Sequence, residues 1–91
     1  MECEFDAGKD ATNRLKHGVS LAFGTRVFDD PHHLVLPSIK TEDGEDRYKA
    51  VGTVDGKLWT AVHTYRGDSV RFMSVRRSNE GEQREYYRDP G

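Results

Sequence analysis

Apolar and polar residues alternate along three segments in the second half of the chain, residues 47–54, 57–65 and 68–75. A period of two is typical of β-strands that bury one face. The pairs Asp55-Gly56 and Arg66-Gly67 separate the three segments. Because Asp-Gly between strand-like runs is a strong signal for a tight hairpin turn, these residues predict an antiparallel meander.

The N-terminal third has the pattern of two helices. Asp6 is a favourable N-cap for a helix over residues 7–17, and Gly18 is suited to the left-handed conformation that ends it. Ser20 is placed to cap a second, shorter helix over residues 21–28. The Asp-Asp-Pro sequence that follows ends this helix, because proline cannot continue it.

Two short strands and a C-terminal helix complete the pattern. The strands are predicted over residues 4–5 and 33–36. Asn79 and Glu82 have the spacing of a capping box, which would open a helix over about residues 80–87. The predicted order is β-α-α-β-β-β-β-α, an α+β fold in which an antiparallel meander sheet packs against helices.

If both turns contain two residues, the pairing of the strands decides which side chains share a face of the sheet. Residues Tyr48, His63 and Val70 then form one row across the meander, and the next row lies on the opposite face. One predicted face is mostly apolar and small, as helix packing requires: Tyr48, Ala50, Gly52, Trp59, Ala61, His63, Val70, Phe72 and Ser74. The other is apolar in the middle and cationic at one end: Arg47, Lys49, Val51, Leu58, Thr60, Val62, Thr64, Ser69, Arg71, Met73, Val75 and Arg77.

The chain carries a formal net charge of -2, yet its basic residues are concentrated. Residues 57–77 hold five basic residues and one acidic residue, and Arg47, Lys49 and Arg71 converge at one end of the predicted sheet. Like charges on adjacent strands destabilise pairing. A phosphate-bearing partner would supply the missing counter-charge, since Arg and Lys bind phosphate well. The alternative is neutralisation by the acidic loop over residues 40–46 or by a nearby carboxylate.

Length and composition limit the class of protein. Ninety-one residues, of which 34% are hydrophobic, predict one small domain. The chain has no run of about 18 apolar residues and no signal-peptide pattern, so we expect no membrane contact. The single cysteine, Cys3, excludes an internal disulfide and is typical of a reducing compartment. We therefore expect a cytoplasmic protein.

Several segments, taken in order, resemble the BrnT family. They are FDAGKDATNRLKHGVS, VFDDP, EDRYKAVG and VHTYRGDSVRFMSVRR, followed by Glu82 and Tyr86, and they extend over about residues 4–87. BrnT proteins are ribonuclease toxins of bacterial type II toxin–antitoxin pairs. The resemblance implies a single toxin domain over residues 1–91 with a small RelE-like fold, which cleaves RNA without metal or cofactor and inhibits translation and growth. It also implies neutralisation by a BrnA-type antitoxin, through which alone the complex would contact operator DNA.

The chain departs from the family pattern mainly in its second and last helices. The run Leu21-Ala22-Phe23-Gly24 replaces a common Phe-Glu-Glu-Ala, while Ser78 stands in place of Ala and Gln83 in place of Arg. Phe5 occupies a position where Trp is frequent. These differences leave a second interpretation open, namely a catalytically inactive homologue that serves as an antitoxin-binding module in an operator-repressing complex.

Metal-free RNA cleavage proceeds when the 2′-hydroxyl attacks the adjacent phosphorus, which requires a base, an acid and cations over the phosphate oxygens. Arg47, Lys49 and Arg71 are the predicted catalytic cations. The similarity to RelE-type sites implies that Tyr86 stacks on a base or donates a proton, with Tyr87 as the alternative.

His63 is a further catalytic candidate, because histidine titrates near neutral pH. Its predicted position on the helix-packing face favours a structural role instead. No metal site is predicted, since the adjacent His32 and His33 cannot easily chelate one ion and no other chelating spacing is present.

Four other basic residues are predicted to bind RNA: Arg66, Arg76, Arg77 and Lys16. Arg66 lies in a predicted turn, at the rim of the site. Arg76 and Arg77, at the end of the last strand, would extend the RNA track or anchor the C-terminal helix. Lys16 belongs to a polar helical stripe that also contains Lys9, Asn13 and His17. This stripe would contact RNA or the antitoxin, although we favour a solvated helix face.

Overall fold

The computed structural model describes residues 1–38 and 46–88, in which one mixed sheet is flanked by helices. The strands are β1 (Cys3–Glu4), β2 (Leu34–Pro37), β3 (Tyr48–Val54), β4 (Lys57–Arg66) and β5 (Ser69–Arg77). The helices are α1 (Ala7–His17), α2 (Gly24–Phe28) and α3 (Glu80–Tyr87), with a 3-10 turn over Leu21–Phe23. The strands lie in the order β1-β5-β4-β3-β2, which confirms the predicted α+β fold. Apart from Asp46, the predicted acidic loop lies outside the described residues.

The predicted helix boundaries are confirmed at both ends of the chain. Asp6 accepts a hydrogen bond of 3.0 Å from the Lys9 amide at the start of α1, and Gly18 ends this helix with a φ of 77°. The side chain and amide of Asn79 bond reciprocally with those of Glu82, which is the capping box predicted for α3. The second predicted helix is instead a 3-10 turn followed by α2.

The two hairpin turns set the register of the meander. Asp55 and Gly56 both have positive φ, as the predicted type I′ turn requires. The second turn consists of Gly67 and Asp68 rather than Arg66-Gly67, because glycine takes the positive φ needed at the first position of the loop. Arg66 therefore belongs to β4, and β5 is shifted by two residues from the predicted pairing.

A β-bulge at Met73 changes which side chains of β5 face the helices. His63 pairs with Phe72, but Val62 pairs with Ser74. Met73 therefore has no partner on β4 and is the extra residue. A single extra residue reverses the faces beyond it. The predicted faces of Ser74, Val75 and Arg77 are consequently wrong, since Val75 and Arg77 turn toward the helix-packing face.

The main core lies between the sheet and the first two helices. Its buried members are Leu21, Val27, Ala50, Val54, Ala61, Val70, Phe72 and Val75. Gly24 of α2 approaches the Phe72 ring so closely that an added Cβ would lie 2.5 Å from it. Burial of these side chains holds the helices against the sheet.

Asn13 of α1 binds the edge of β5 where the short strand β1 leaves it unpaired. Its side-chain amide donates to the Val75 carbonyl at 2.9 Å, and its oxygen accepts from the Val75 amide at 3.0 Å. The same amide nitrogen donates to the Val19 carbonyl at 2.9 Å. Asn13 thereby takes the place of a neighbouring strand, so the solvated position expected for this member of the helical stripe is wrong.

Helix α3 lies against the opposite face of the sheet. The residues Val51, Leu58 and Thr60 on this face are 0%, 5% and 0% exposed. Within residues 1–38 and 46–88, no helix has the length and apolar character needed to cross a membrane.

Candidate active site

The three cations predicted to hold phosphate lie on one side of the sheet: Arg47, Lys49 and Arg71. We call this side the cationic face. Lys49 lies opposite Val62, whereas Arg71 lies opposite Thr64, two residues further along β4. Arg47 directly precedes β3 and alternates with Lys49, so it follows on the same side. The shifted register of β5 places Arg71 in the row of Arg47 rather than in the row of Lys49.

Carboxylates from two other elements partly neutralise the cationic face. The parallel pairing of β1 with β5 places Glu4 beside Arg71, and their charged atoms are 3.6 Å apart. The same carboxylate oxygen lies 4.0 Å from Arg66 Nε. On the other side, Lys49 Nζ lies 3.3 Å from Glu82 Oε2. Within the described residues, nearby carboxylates of β1 and α3 supply counter-charge, as one of the predicted alternatives has it. Residues 40–45 of the acidic loop lie outside the described residues.

Glu82 is the centre of a buried polar network, since its side chain is 2% exposed. Arg76 donates to both of its oxygens at 2.8 Å, and further donors are the Thr60 hydroxyl and the Asn79 amide, each at 2.9 Å. Burial would raise the pKa of Glu82, but the hydrogen bonds, led by that from Arg76, lower the pKa to about 2. The same bond raises the pKa of Arg76.

Arg76 and Arg77 therefore have separate roles. Arg76 anchors the C-terminal helix through Glu82, which was one of the two predicted alternatives. Arg77 lies beyond the bulge on the helix-packing face, where its Nε donates to the Leu58 carbonyl at 3.2 Å. Its guanidinium lies 5.6 Å from the centre of the Trp59 ring. The two arginines do not form one continuous basic track.

His63 lies on the helix-packing face, as its position in the strand predicts, and it is fully buried. Its Nδ1 lies 3.0 Å from the Ala61 carbonyl, and its ring packs edge-on against Phe28 with centroids 5.1 Å apart. Burial lowers the pKa of His63, and the hydrogen bond to Ala61 offsets this only in part. The imidazole is therefore neutral at pH 7, with the sheet between it and the cationic face.

Tyr86 is held at the other end of the sheet from Arg71. Its hydroxyl donates to Asp30 Oδ2 at 2.5 Å, and the same carboxylate accepts from the amide and hydroxyl of Thr53. Burial and the bond to Asp30 raise the pKa of Tyr86. Thr53 pairs with Leu58 of β4, whereas Arg71 pairs with Thr64. These two partners are six residues apart, which corresponds to about 20 Å along the strand. The structure does not bring Tyr86 to the cationic face at Arg71, and Tyr87 is largely exposed.

Lys16 is not on the cationic face. Together with Lys9, Met73 and Ser74 it lines a groove of about 410 Å³ between α1 and the edge of β5. Neither Lys9 nor Lys16 forms an ion pair with another described residue. No three His, Cys, Asp or Glu side chains cluster as metal ligands within the described ranges.

Sequence reasoning missed the tertiary contacts of three acidic residues that organise the sheet: Glu4, Asp30 and Glu82. Glu82 was identifiable as a capping residue, but its ion pairs with Lys49 and Arg76 depend on where α3 docks. For Glu4 no local signal exists, because its position beside Arg71 requires the parallel pairing of the first strand with the last.

The chain is similar to a known protein family over most of its length. The family model described as ribonuclease toxin, BrnT, of type II toxin–antitoxin system matches residues 5–82. No curated protein matches the chain. The family match spans both the cationic face and the Glu82 network, as well as α1 with its groove. The chain belongs to the BrnT family of type II toxin–antitoxin ribonuclease toxins.

Proposed function

We propose that this protein is an endoribonuclease that cleaves RNA without a metal, with its active site at the Arg71 end of the cationic face. The observation that carries the proposal is the placement of Arg47, Lys49 and Arg71 on one face in a chain of a ribonuclease toxin family. These cations would hold the non-bridging phosphate oxygens and stabilise the charge that develops on them.

The chemical step is attack of the RNA 2′-oxygen on the adjacent phosphorus, with departure of the 5′-oxygen. A base accepts the proton of the 2′-hydroxyl, and the leaving 5′-oxygen takes a proton from water. The products are a 2′,3′-cyclic phosphate and a 5′-hydroxyl end.

Glu4 is the proton acceptor that we propose. Its carboxylate is 42% exposed and adjoins Arg71, so a phosphate held by Arg71 would lie within its reach. Glu82 is unsuited to this role, because its buried carboxylate is already occupied by Arg76 and has a pKa of about 2. In this proposal His63 and Tyr86 have structural roles. His63 is buried on the opposite face of the sheet, and the hydroxyl of Tyr86 is bonded to Asp30.

Cleavage of cellular RNA would inhibit translation and growth until a BrnA-type antitoxin binds the toxin. Membership of a type II family implies both an RNA target and a protein antitoxin. We propose that the antitoxin covers the cationic face, and that any contact with operator DNA is made by the antitoxin alone.

Incubation of the purified protein with RNA in the presence of a chelator tests this proposal. We expect cleavage that leaves cyclic phosphate ends and falls about 100-fold or more in the double variant Lys49→Ala with Arg71→Ala. A matched control removes two exposed cations elsewhere, Arg26→Ala with Lys57→Ala, and should cleave like the wild type. Absence of cleavage by the wild type, or full activity of the first double variant, would refute the proposed site.

A second function is favoured by the pairing of Lys49 with Glu82 and of Arg71 with Glu4. Partly neutralised cations would suit an inactive homologue that only binds the antitoxin in a repressing complex. This alternative predicts stoichiometric antitoxin binding with no growth arrest on expression. Arrest that Arg71→Ala abolishes would exclude it.

A further inference from the structure

The groove between α1 and β5 differs from the cationic face in that its cations lack partners. Arg71, Lys49 and Arg76 each adjoin a carboxylate. Lys9 and Lys16 make no ion pair within residues 1–38 and 46–88. Among the described residues, the two lysines outnumber the one carboxylate that also lines the groove, that of Asp6, which caps α1. This excess of positive charge is suited to an anionic ligand.

The shape of the groove follows from the bulge at Met73. The extra residue turns Ser74 to the side of the sheet that carries Lys49, and the half-buried Met73 forms part of the wall. Asn13 supports the opposite wall by holding α1 against the backbone of Val75. Hydrogen bonds therefore hold both walls of the groove in place, and the side chain of Met73 provides an apolar surface beside the hydroxyl of Ser74.

The groove adjoins the cationic face at Ser74, which lines the groove and lies in the same row as Lys49. Lys49, Val62 and Ser74 form one row across β3, β4 and β5, so that Lys49 and Ser74 lie two strands or about 10 Å apart. A short stretch of single-stranded RNA spans such a distance. A ligand that begins at Arg71 or Lys49 and crosses the row at Ser74 would enter the groove beside Lys16.

We propose that this groove is a second RNA subsite, which holds nucleotides that flank the cleaved bond. Lys9 and Lys16 bind their phosphates, while Met73 and Ser74 contact a sugar or base. This inference rests on the proposed ribonuclease function and deepens it, since it assigns single-stranded RNA longer than the cleaved dinucleotide as the substrate. An acidic segment of the antitoxin is the competing occupant, and the adjoining cationic face favours RNA.

The test measures cleavage and binding separately. Binding is followed by fluorescence anisotropy with a 2′-O-methyl RNA oligonucleotide, which cannot be cleaved because its 2′-oxygen is blocked. We expect Lys16→Gln to weaken binding and to raise KM by about three- to fivefold, the effect of one exposed ion pair. The slope of log affinity against log salt should fall by about 0.7, as for one lost phosphate contact on a single strand. Lys9→Gln should add to both effects.

Arg14→Gln is the matched control, because Arg14 lies on the same helix, is exposed, and pairs with Asp10 away from the groove. It should change neither KM nor the salt slope. Circular dichroism melting would verify that both variants remain folded.

The outcomes separate this proposal from the ribonuclease proposal. If the wild type cleaves RNA and Lys16→Gln with Lys9→Gln leaves KM, affinity and salt slope unchanged, the subsite is refuted while the active site stands. If the wild type fails to cleave, the ribonuclease function is refuted, and salt-dependent binding of 2′-O-methyl RNA through Lys16 would still support RNA binding in the groove. If the double variant loses affinity for the antitoxin and keeps its affinity for RNA, the groove is a protein-docking site and our assignment is wrong.

Discussion

Replacement of Glu82 by glutamine should destabilise the protein strongly, although the two side chains have almost the same shape. The glutamine amide keeps only one acceptor oxygen for the two 2.8 Å bonds that Arg76 donates, and it turns an NH2 group toward the second donor. The change also removes the counter-charge of Arg76 and Lys49. The pKa of Glu82 falls from 4.5 to about 2 on folding. At about 1.4 kcal/mol per pH unit, this corresponds to about 3 kcal/mol of stabilisation by the ionised carboxylate. Breaking a buried ion pair by removing one partner costs a similar amount, about 3–5 kcal/mol.

The sign of the pH dependence follows from the direction of this shift. Since the pKa of Glu82 is lower in the folded state, its stabilising effect is complete above pH 4.5 and is lost as the pH falls toward 2. The glutamine variant has no carboxylate at this position, so this contribution to its stability does not change with pH. The difference in free energy of unfolding between wild type and variant should therefore be largest at neutral pH and shrink on acidification.

Urea denaturation at several pH values between 7 and 3 measures this difference directly. A loss of about 3 kcal/mol is a large part of the roughly 5–14 kcal/mol expected for a chain of this size, and it should lower Tm by at least about 12 °C. Glu85→Gln is the control, since this exposed residue of the same helix should change stability by less than about 0.5 kcal/mol. A Glu82→Gln loss below about 1 kcal/mol, or a loss that does not vary with pH, would refute the reasoning.

Two further predictions concern other parts of the molecule. Glu4→Gln should lower kcat by about 100-fold or more, with RNA affinity unchanged or higher, because the amide cannot accept the proton of the 2′-hydroxyl. An unchanged kcat would show that Glu4 only neutralises the neighbouring arginine, and Glu2→Gln is the control. Asn13→Ala should lower the free energy of unfolding by about 3 kcal/mol, because the amide and carbonyl of Val75 lose their partners inside the protein. Chemical denaturation measures this loss, which Thr12→Ala on the exposed side of the same helix should not share.

Local features of the chain were predictable where the determining residues are neighbours in sequence. The caps Asp6 and Asn79 begin their helices as expected, and Asp55-Gly56 forms the expected turn. These predictions succeed because capping bonds and positive φ angles depend on a few adjacent residues. The burial of His63 was predictable for a related reason, since its strand position and the first hairpin register are both local.

The second hairpin shows where this reasoning fails. Alternation alone gives no sign that Gly67 rather than Arg66 begins the turn, nor that Met73 is an extra residue. The bulge reverses the last part of β5, and with it the positions of Arg76 and Arg77 relative to the site. A one-residue irregularity changes which face a side chain occupies, so the buried residues Val70, Phe72 and Val75 of β5 do not follow the strict alternation that the prediction assumed.

The amino-acid sequence by itself determined the α+β class, the helices with their caps, the first hairpin and the concentration of basic residues on one strand face. Only the tertiary structure decided which of these cations have counter-charges. Glu4 reaches Arg71 through a parallel pairing between opposite ends of the chain, and Glu82 reaches Lys49 through the docking of α3. The physical reason is that charge pairing depends on distances of a few ångströms between atoms far apart in sequence, and such distances follow from packing rather than from local propensity.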